Sequence, residues 1–315
     1  MRRVVLITGA TSGLGYEMAA ALANSQYELI LAYRNPEKGA ATHRKLTEAN
    51  PAASVRMLEL DLSSIQSIDR FVGQVRSHYA SIDVLCNNAG LYTDSHLKTA
   101  EGFELTLGVN YIGPYYLTRQ LIPLLRKGCQ PQILWTCSVV SLISKSYQDR
   151  DNILHKSSRG FPAYFASKQM ELMMALHLAE VLKADGITVN AFHPGIVATN
   201  IWDGESRLMH LLGKWQDKWY LPAQEAAKAG LWLIESPAAR TVTGHFFEKL
   251  GQEVHLGARF RDQKWLASLA NRTDTAIRAF RPDFPAVSDP ASQVAGSSQP
   301  DQAVQASPTV NSTIA

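Results

Sequence analysis

Short apolar runs of strand length alternate with longer stretches of helical spacing through most of this chain, and the first run opens into a glycine-rich turn. Residues 4–7 read Val-Val-Leu-Ile, a continuous apolar run of the kind found in parallel strands covered on both faces. The turn T-G-A-T-S-G-L-G follows over 8–15, and helical spacing runs over 13–25. Further strands are expected over 28–32, 54–60, 82–86, 132–137, 187–193 and 245–247. Helices are expected between them over 37–50, 64–79, 101–126, 163–183 and 225–235. Repeated β-α units with right-handed crossovers build an α/β fold: a doubly wound, Rossmann-type parallel sheet of seven strands with helices on both faces.

Hydrophobic residues make up 46% of the 315, enough for one large core over 1–256. A helical extension over 257–285 follows, with its helix at 262–280. Beyond it, 286–315 holds no Lys, Arg or aromatic residue. Such a stretch cannot bury enough apolar surface to offset its ordering entropy, so a disordered tail is expected. The net charge of +3 is spread without a basic block, which leaves no footprint for nucleic acid. Cys86, Cys129 and Cys137 match neither a disulfide framework nor a zinc spacing, so no metal is expected and a reduced, cytoplasmic setting fits. The first strand begins by about residue 3, leaving no room for a signal peptide or N-terminal anchor. No apolar run reaches the ~18 residues of a spanning helix.

Open α/β sheets bind ligands beyond the carboxyl ends of their strands. Gly9, Gly13 and Gly15 stand there, between the first strand and first helix. Missing β-carbons let the backbone turn tightly and approach a pyrophosphate, which the N–H groups and positive dipole end of the helix then receive. A dinucleotide site is the reading. The second strand runs into Arg34 rather than into the Asp or Glu that grips a ribose 2′-hydroxyl in NAD sites. Arg34 suits a 2′-phosphate, which favours NADP(H) over NAD(H); the alternative is a solvated surface arginine. Asp61, before Leu62, can accept from an adenine amino group or cap the next helix. Asn87, Asn88, Ala89 and Gly90 end the fourth strand, where the glycine lets backbone pass close to a cofactor.

Tyr164 and Lys168 lie four residues apart at a helix start behind Pro162, so their side chains share one face. Free tyrosine titrates near ~10. A fixed cation favours the phenolate, and bringing it near 7 takes about 4 kcal/mol of differential interaction. Ser138, at the end of the fifth strand, can donate to a substrate carbonyl oxygen as charge develops. Pro114 has no N–H for the Asn110 carbonyl, so the long helix should kink. The freed carbonyl either holds a water on the Lys168 side or serves packing alone.

Taken together, the turn at 8–15, N-N-A-G at 87–90, Asn110, Ser138, Tyr164, Lys168 and P-G-x-x-x-T at 194–199 resemble the short-chain dehydrogenase/reductase family over about residues 3–256. Arg34, the long interval from Ser138 to Tyr164 and His193-Pro194-Gly195 are similar to its retinol dehydrogenase-like branch. The resemblance implies a catalytic tetrad of Asn110, Ser138, Tyr164 and Lys168, with Lys168 also on the nicotinamide ribose. It implies cofactor contacts from Gly9, Thr11, Ser12, Gly13, Leu14, Gly15, Arg34, Asp61, Leu62, Asn88, Ala89, Gly90, Tyr164, Lys168, Pro194, Gly195, Val197 and Thr199. Cys137 stands where a second serine is usual.

Leu208, Leu211, Leu212, Trp215 and Trp219 form an apolar stripe in the segment 200–222. A lid over an apolar alcohol or carbonyl substrate, a core helix and a helix in transient membrane contact all carry such a stripe. The helix at 163–183 is apolar all round, so it is buried on two sides, one on the sheet and the other against a second subunit or the long insertion between Ser138 and Tyr164. A homodimer or homotetramer is expected from the first choice. The functional reading is an oxidoreductase; the rival is a catalytically silent NADP(H)-binding sensor or scaffold.

Overall fold

The computed structural model describes residues 2–144, 154, 159–195, 197, 221–248 and 250–285. Ile196, Thr199, the stripe at 208–219 and the tail at 286–315 lie outside the described residues.

Among the described residues, eight strands form one sheet in the order β3-β2-β1-β4-β5-β6-β7-β8. They are β1 (Arg3–Ile7), β2 (Tyr27–Tyr33), β3 (Ser54–Glu59), β4 (Val84–Asn87), β5 (Gln132–Thr136), β6 (Thr188–His193), β7 (Phe246–Glu248) and β8 (Gln252–Glu253). The first seven run parallel, and β8 turns back antiparallel on β7. The expected count of seven therefore falls one short. The missed strand is a two-residue exposed edge, too brief to carry any alternation. On β1, Val5 pairs with Leu29 of β2 on one side and with Val84 of β4 on the other. The strand order reverses there, opening a crevice beyond the strand tips.

Consecutive β1 residues point to opposite faces. Leu6 enters the core with Ile30, Leu85 and Ile133, while Val5 and Ile7 enter the other with Leu29, Leu31 and Leu134. The second face is covered by α1 (Gly13–Leu22) and α8 (Ala223–Glu235), with α2 (Pro36–Ala49) beside β3. The first is covered by α3 (Ile65–His78), α5 (Gly113–Leu125) and α7 (Phe161–Val181).

The helix expected over 101–126 is broken. It consists of the short α4 (Leu105–Leu107), a π-helical turn at Gly108–Ile112, and α5. It starts late because Glu104 caps it, accepting from the Thr106 and Leu107 N–H groups, while Glu101 reaches across to the Ile65 N–H at 2.7 Å. The kink expected at Pro114 takes the form of the π turn around Asn110, a common way to place a functional residue inside a helix. A short α6 (Val140–Ile143) precedes α7.

The second apolar side of α7 is covered from within the chain. Helix α9 (Gln263–Arg278), capped by Asp262 on the Trp265 N–H, packs on it. Covering by α9 removes the ground on which a subunit interface was expected there. A buried polar clasp fastens α9 to α5. The Asp274 carboxylate accepts from Arg119 at 3.0 Å and from the Tyr115 hydroxyl at 2.6 Å. Arg119 also donates to the Pro285 carbonyl at 2.8 Å and stacks over Phe284. Removing one member leaves the other charge buried and uncompensated. Asp274→Ala should therefore lower unfolding free energy by about 3–5 kcal/mol in a denaturant titration; a loss under about 1 kcal/mol, the scale of an exposed pair, would contradict the clasp.

Candidate active site

Thr8, the residue after β1, knits two strand tips together. Its hydroxyl donates to the Cys86 carbonyl at 3.2 Å and accepts from the Asn88 and Ala89 N–H groups, each at 3.0 Å. Asn88 returns its amide to the Thr8 carbonyl at 2.9 Å and the Gly9 carbonyl at 3.5 Å. Asn87 is turned the other way, donating to Thr118 at 2.8 Å. The pair thus does two jobs, one holding the crevice and one holding α5.

Gly9 has φ +67° and packs so closely on Ala89 that a β-carbon would lie 2.9 Å from its Cα. Gly13 also has positive φ, at +52°. A β-carbon at Gly15 would collide with the Gly9 carbonyl and lie 2.5 Å from the Asn88 amide. Ser12, the N-cap of α1, makes no side-chain cap bond, and the first turn of α1 has no acidic residue. Its N–H groups and dipole end therefore face the crevice uncompensated. A cradle without β-carbons below an open helix N-terminus fits the pyrophosphate of a dinucleotide.

Around this floor, Arg34 is exposed after the end of β2 and has no hydrogen bond or ion pair among the described residues. The capping role open to Asp61 falls to Ser64, which accepts from the Ser67 N–H. One Asp61 oxygen accepts from the Ser63 N–H at 2.9 Å and the Ser63 hydroxyl at 2.7 Å, while Leu62 is buried. Gly195 has φ +91° and lies beside Leu221, and Val197 bridges to Leu221.

Two of the proton-transfer candidates, Lys168 and Asn110, meet at Gly90. A β-carbon there would lie 3.5 Å from Lys168 Nζ and 3.4 Å from Asn110 Oδ1. Lys168 Nζ sits 5.9 Å from the Tyr164 ring centroid, with both residues buried. One continuous run of contacts therefore links the glycine turn through Ala89 and Gly90 to Lys168. The Asn110 side chain grips the loop after β4, accepting from the Leu91 N–H at 2.8 Å and donating to its carbonyl at 2.9 Å. It also lies 3.0 Å from the Ser167 hydroxyl. Ser138 follows β5, two residues past the Thr136 carbonyl that accepts from Lys168 Nζ at 3.1 Å.

Charge in this site departs from the sequence argument. Burial pushes the Tyr164 hydroxyl above its ordinary value, and the Lys168 ammonium only partly offsets it. Lys168 is itself held by Glu171, with both carboxylate oxygens 3.0 Å from Nζ. Burial pulls the ammonium down, yet Glu171, with Tyr164 and Cys137, more than reverses this and leaves it raised. Glu171 was missed in the sequence, although its i,i+3 spacing from Lys168 is a legible pairing signal. Tyr92 was missed too; its ring meets Tyr164 edge-on at 6.1 Å, a contact with no local sequence signature.

The family model for the short chain dehydrogenase matches residues 3–208. The chain belongs to the short-chain dehydrogenase family. It is 30% identical over 273 residues to retinol dehydrogenase 14 of Homo sapiens, covering 80% of this chain and 79% of that one. It is 34% identical over 211 residues to polyprenol dehydrogenase of Danio rerio, covering 64% of each, so it spans under two thirds of that relative. These relatives set it in the retinol dehydrogenase-like branch. Among solved structures, a 3-ketoacyl-(acyl-carrier-protein) reductase from Brucella melitensis, complexed with NADH, is 25% identical. It matches with a TM-score of 0.61 over 80% of this chain and 98% of that one. The coarse activity follows from the family: an oxidoreductase that uses a nicotinamide cofactor. Gly15→Ala should weaken NADPH and NADH binding in a fluorescence titration by more than about tenfold, ~1.4 kcal/mol; wild-type affinity would contradict the cradle.

Proposed function

We propose that the chain is an NADP(H)-dependent oxidoreductase that interconverts an apolar alcohol and its carbonyl, with Tyr164 as general acid and base. The observation that carries this is that Lys168 and Asn110 meet at Gly90, directly beside the glycine cradle, with the Tyr164 ring centroid 5.9 Å from Lys168 Nζ. When bound, the nicotinamide supplies or accepts the hydride. The proton falls to the chain's own groups. In reduction the Tyr164 hydroxyl donates to the carbonyl oxygen; in oxidation its phenolate takes the alcohol proton. Ser138 donates a hydrogen bond to the same oxygen as charge develops. Lys168 favours the phenolate, and Asn110 positions the loop after β4 around both.

Preference for NADP(H) is supported by the exposed guanidinium of Arg34 and by Tyr33-Arg34 standing where an NAD site would carry an acid. Thr11, Ser12, Leu14, Asp61, Leu62, Asn88, Ala89, Pro194, Gly195, Val197 and Thr199 complete the cofactor contacts in this reading, which places the catalytic unit in 1–256. An apolar substrate is supported by the aromatic side chains of Tyr92, Phe161 and Phe165 around Tyr164 and by relatives named for retinol and polyprenol. A cytoplasmic setting is supported by three free cysteines. No helix among the described residues is long and apolar enough to cross a membrane.

Tyr164→Phe should cut turnover by about 10²–10⁴-fold while cofactor binding persists; wild-type turnover in that variant would reject the assignment. Arg34→Asp should move the NADPH to NADH ratio of kcat/KM towards NADH, and an unchanged ratio would remove the 2′-phosphate contact.

A further inference from the structure

The Lys168 ammonium carries three N–H donors, and three acceptors take them: both Glu171 oxygens at 3.0 Å and the Thr136 carbonyl at 3.1 Å. A fourth partner, whether a cofactor hydroxyl or Tyr164, is served only when one of these lets go. The Lys168 and Glu171 side chains are 6% and 3% exposed. Desolvating two charges to this degree commonly costs as much as their attraction returns, so stability alone does not account for the pair.

We propose that Glu171 is a positioning residue of the proton-transfer site: its carboxylate holds the Lys168 ammonium and offsets the charge that Lys168 presents to Tyr164. The proposal rests on Tyr164 being the acid and base.

The surroundings of Glu171 favour this role. On its own helix it faces Lys168 and, beyond it, Tyr164, whose phenolate its charge disfavours. From the end of β5 the buried Cys137 thiol faces it, and burial and the Glu171 charge together hold that thiol protonated. From the end of β6 the buried His193 faces Lys168, and burial together with Lys168 holds its imidazole neutral against the pull of Glu248. His193 therefore supplies no competing charge at neutral pH. Burial pushes the Glu171 carboxyl up to about 7, against the opposing pull of Lys168. Above that pH its negative charge offsets Lys168; below it, the ammonium acts on Tyr164 undiminished.

The test is the ionisation of Tyr164 in the full chain without cofactor. It is read as the ultraviolet titration of each protein minus that of its Tyr164→Phe counterpart, alongside the pH profile of kcat/KM for alcohol oxidation. Glu171→Gln should lower both by about one pH unit, a tenfold rise in phenolate fraction below the midpoint. Glu171→Leu should do the same, and Glu171→Asp, which keeps the charge, should move them less. A merely structural role would lower stability or turnover without moving either midpoint. Unmoved midpoints in Glu171→Gln, or in Glu171→Leu if the amide variant does not fold, overturn the proposal and leave the Tyr164 reading standing. Normal turnover by Tyr164→Phe instead overturns the reading itself, and the proposal with it.

Discussion

Thr8 Oγ1 accepts from two successive N–H groups at the tip of β4 and donates to the carbonyl of Cys86. That knot fixes Ala89 against Gly9 and so sets the spacing between the glycine turn and Gly90. Every later placement inherits it. Lys168 and Asn110 close on Gly90 at ordinary contact distance, and Asn88 donates to the Thr8 and Gly9 carbonyls of the turn. A site of this kind needs no unusual residue, only backbone brought unusually close, which is why glycine recurs at its contacts.

Electrostatics then divides the crevice into two ends. At one end the first turn of α1 has no acidic side chain and Ser12 leaves its N–H groups uncapped, a polarity that attracts anions. At the other, Lys168 would be a strong local cation, but Glu171 lies on it. Burial and ion pairing compete over Tyr164: its enclosure opposes the phenolate, Lys168 favours it, and Glu171 weakens that favour. The competing charges thus sit on successive turns of α7, at Tyr164, Lys168 and Glu171.

The parallel strands of the fold were legible because a strand buried on both faces reads as an unbroken apolar run; Val5, Leu6 and Ile7 are all fully buried. The partition of α7 was half legible. Its sequence announces that all sides are covered, but periodicity does not say by what, and the cover proved to be α9, which Asp274, Tyr115 and Arg119 fasten to α5. The break in the helix at 101–126 was foreshadowed by Pro114 alone, since a π turn at Asn110 depends on how α5 seats on α3 and β4. Tyr164, Lys168 and the glycine turn were legible by spacing. Glu171 was hidden by context, because an i,i+3 charge pair is ordinarily a solvated surface feature and only the fold shows it buried.

The central question is whether the crevice performs chemistry as well as binding a nucleotide. The most direct measurement is consumption of NADPH and NADH, side by side, across a panel of apolar aldehydes, ketones and quinones. Catalysis at Tyr164 predicts loss of reduced-cofactor absorbance with at least one of them, faster with NADPH than with NADH. Tight cofactor binding with no compound reduced or, in the reverse direction, no alcohol oxidised would contradict it and favour a silent nucleotide sensor.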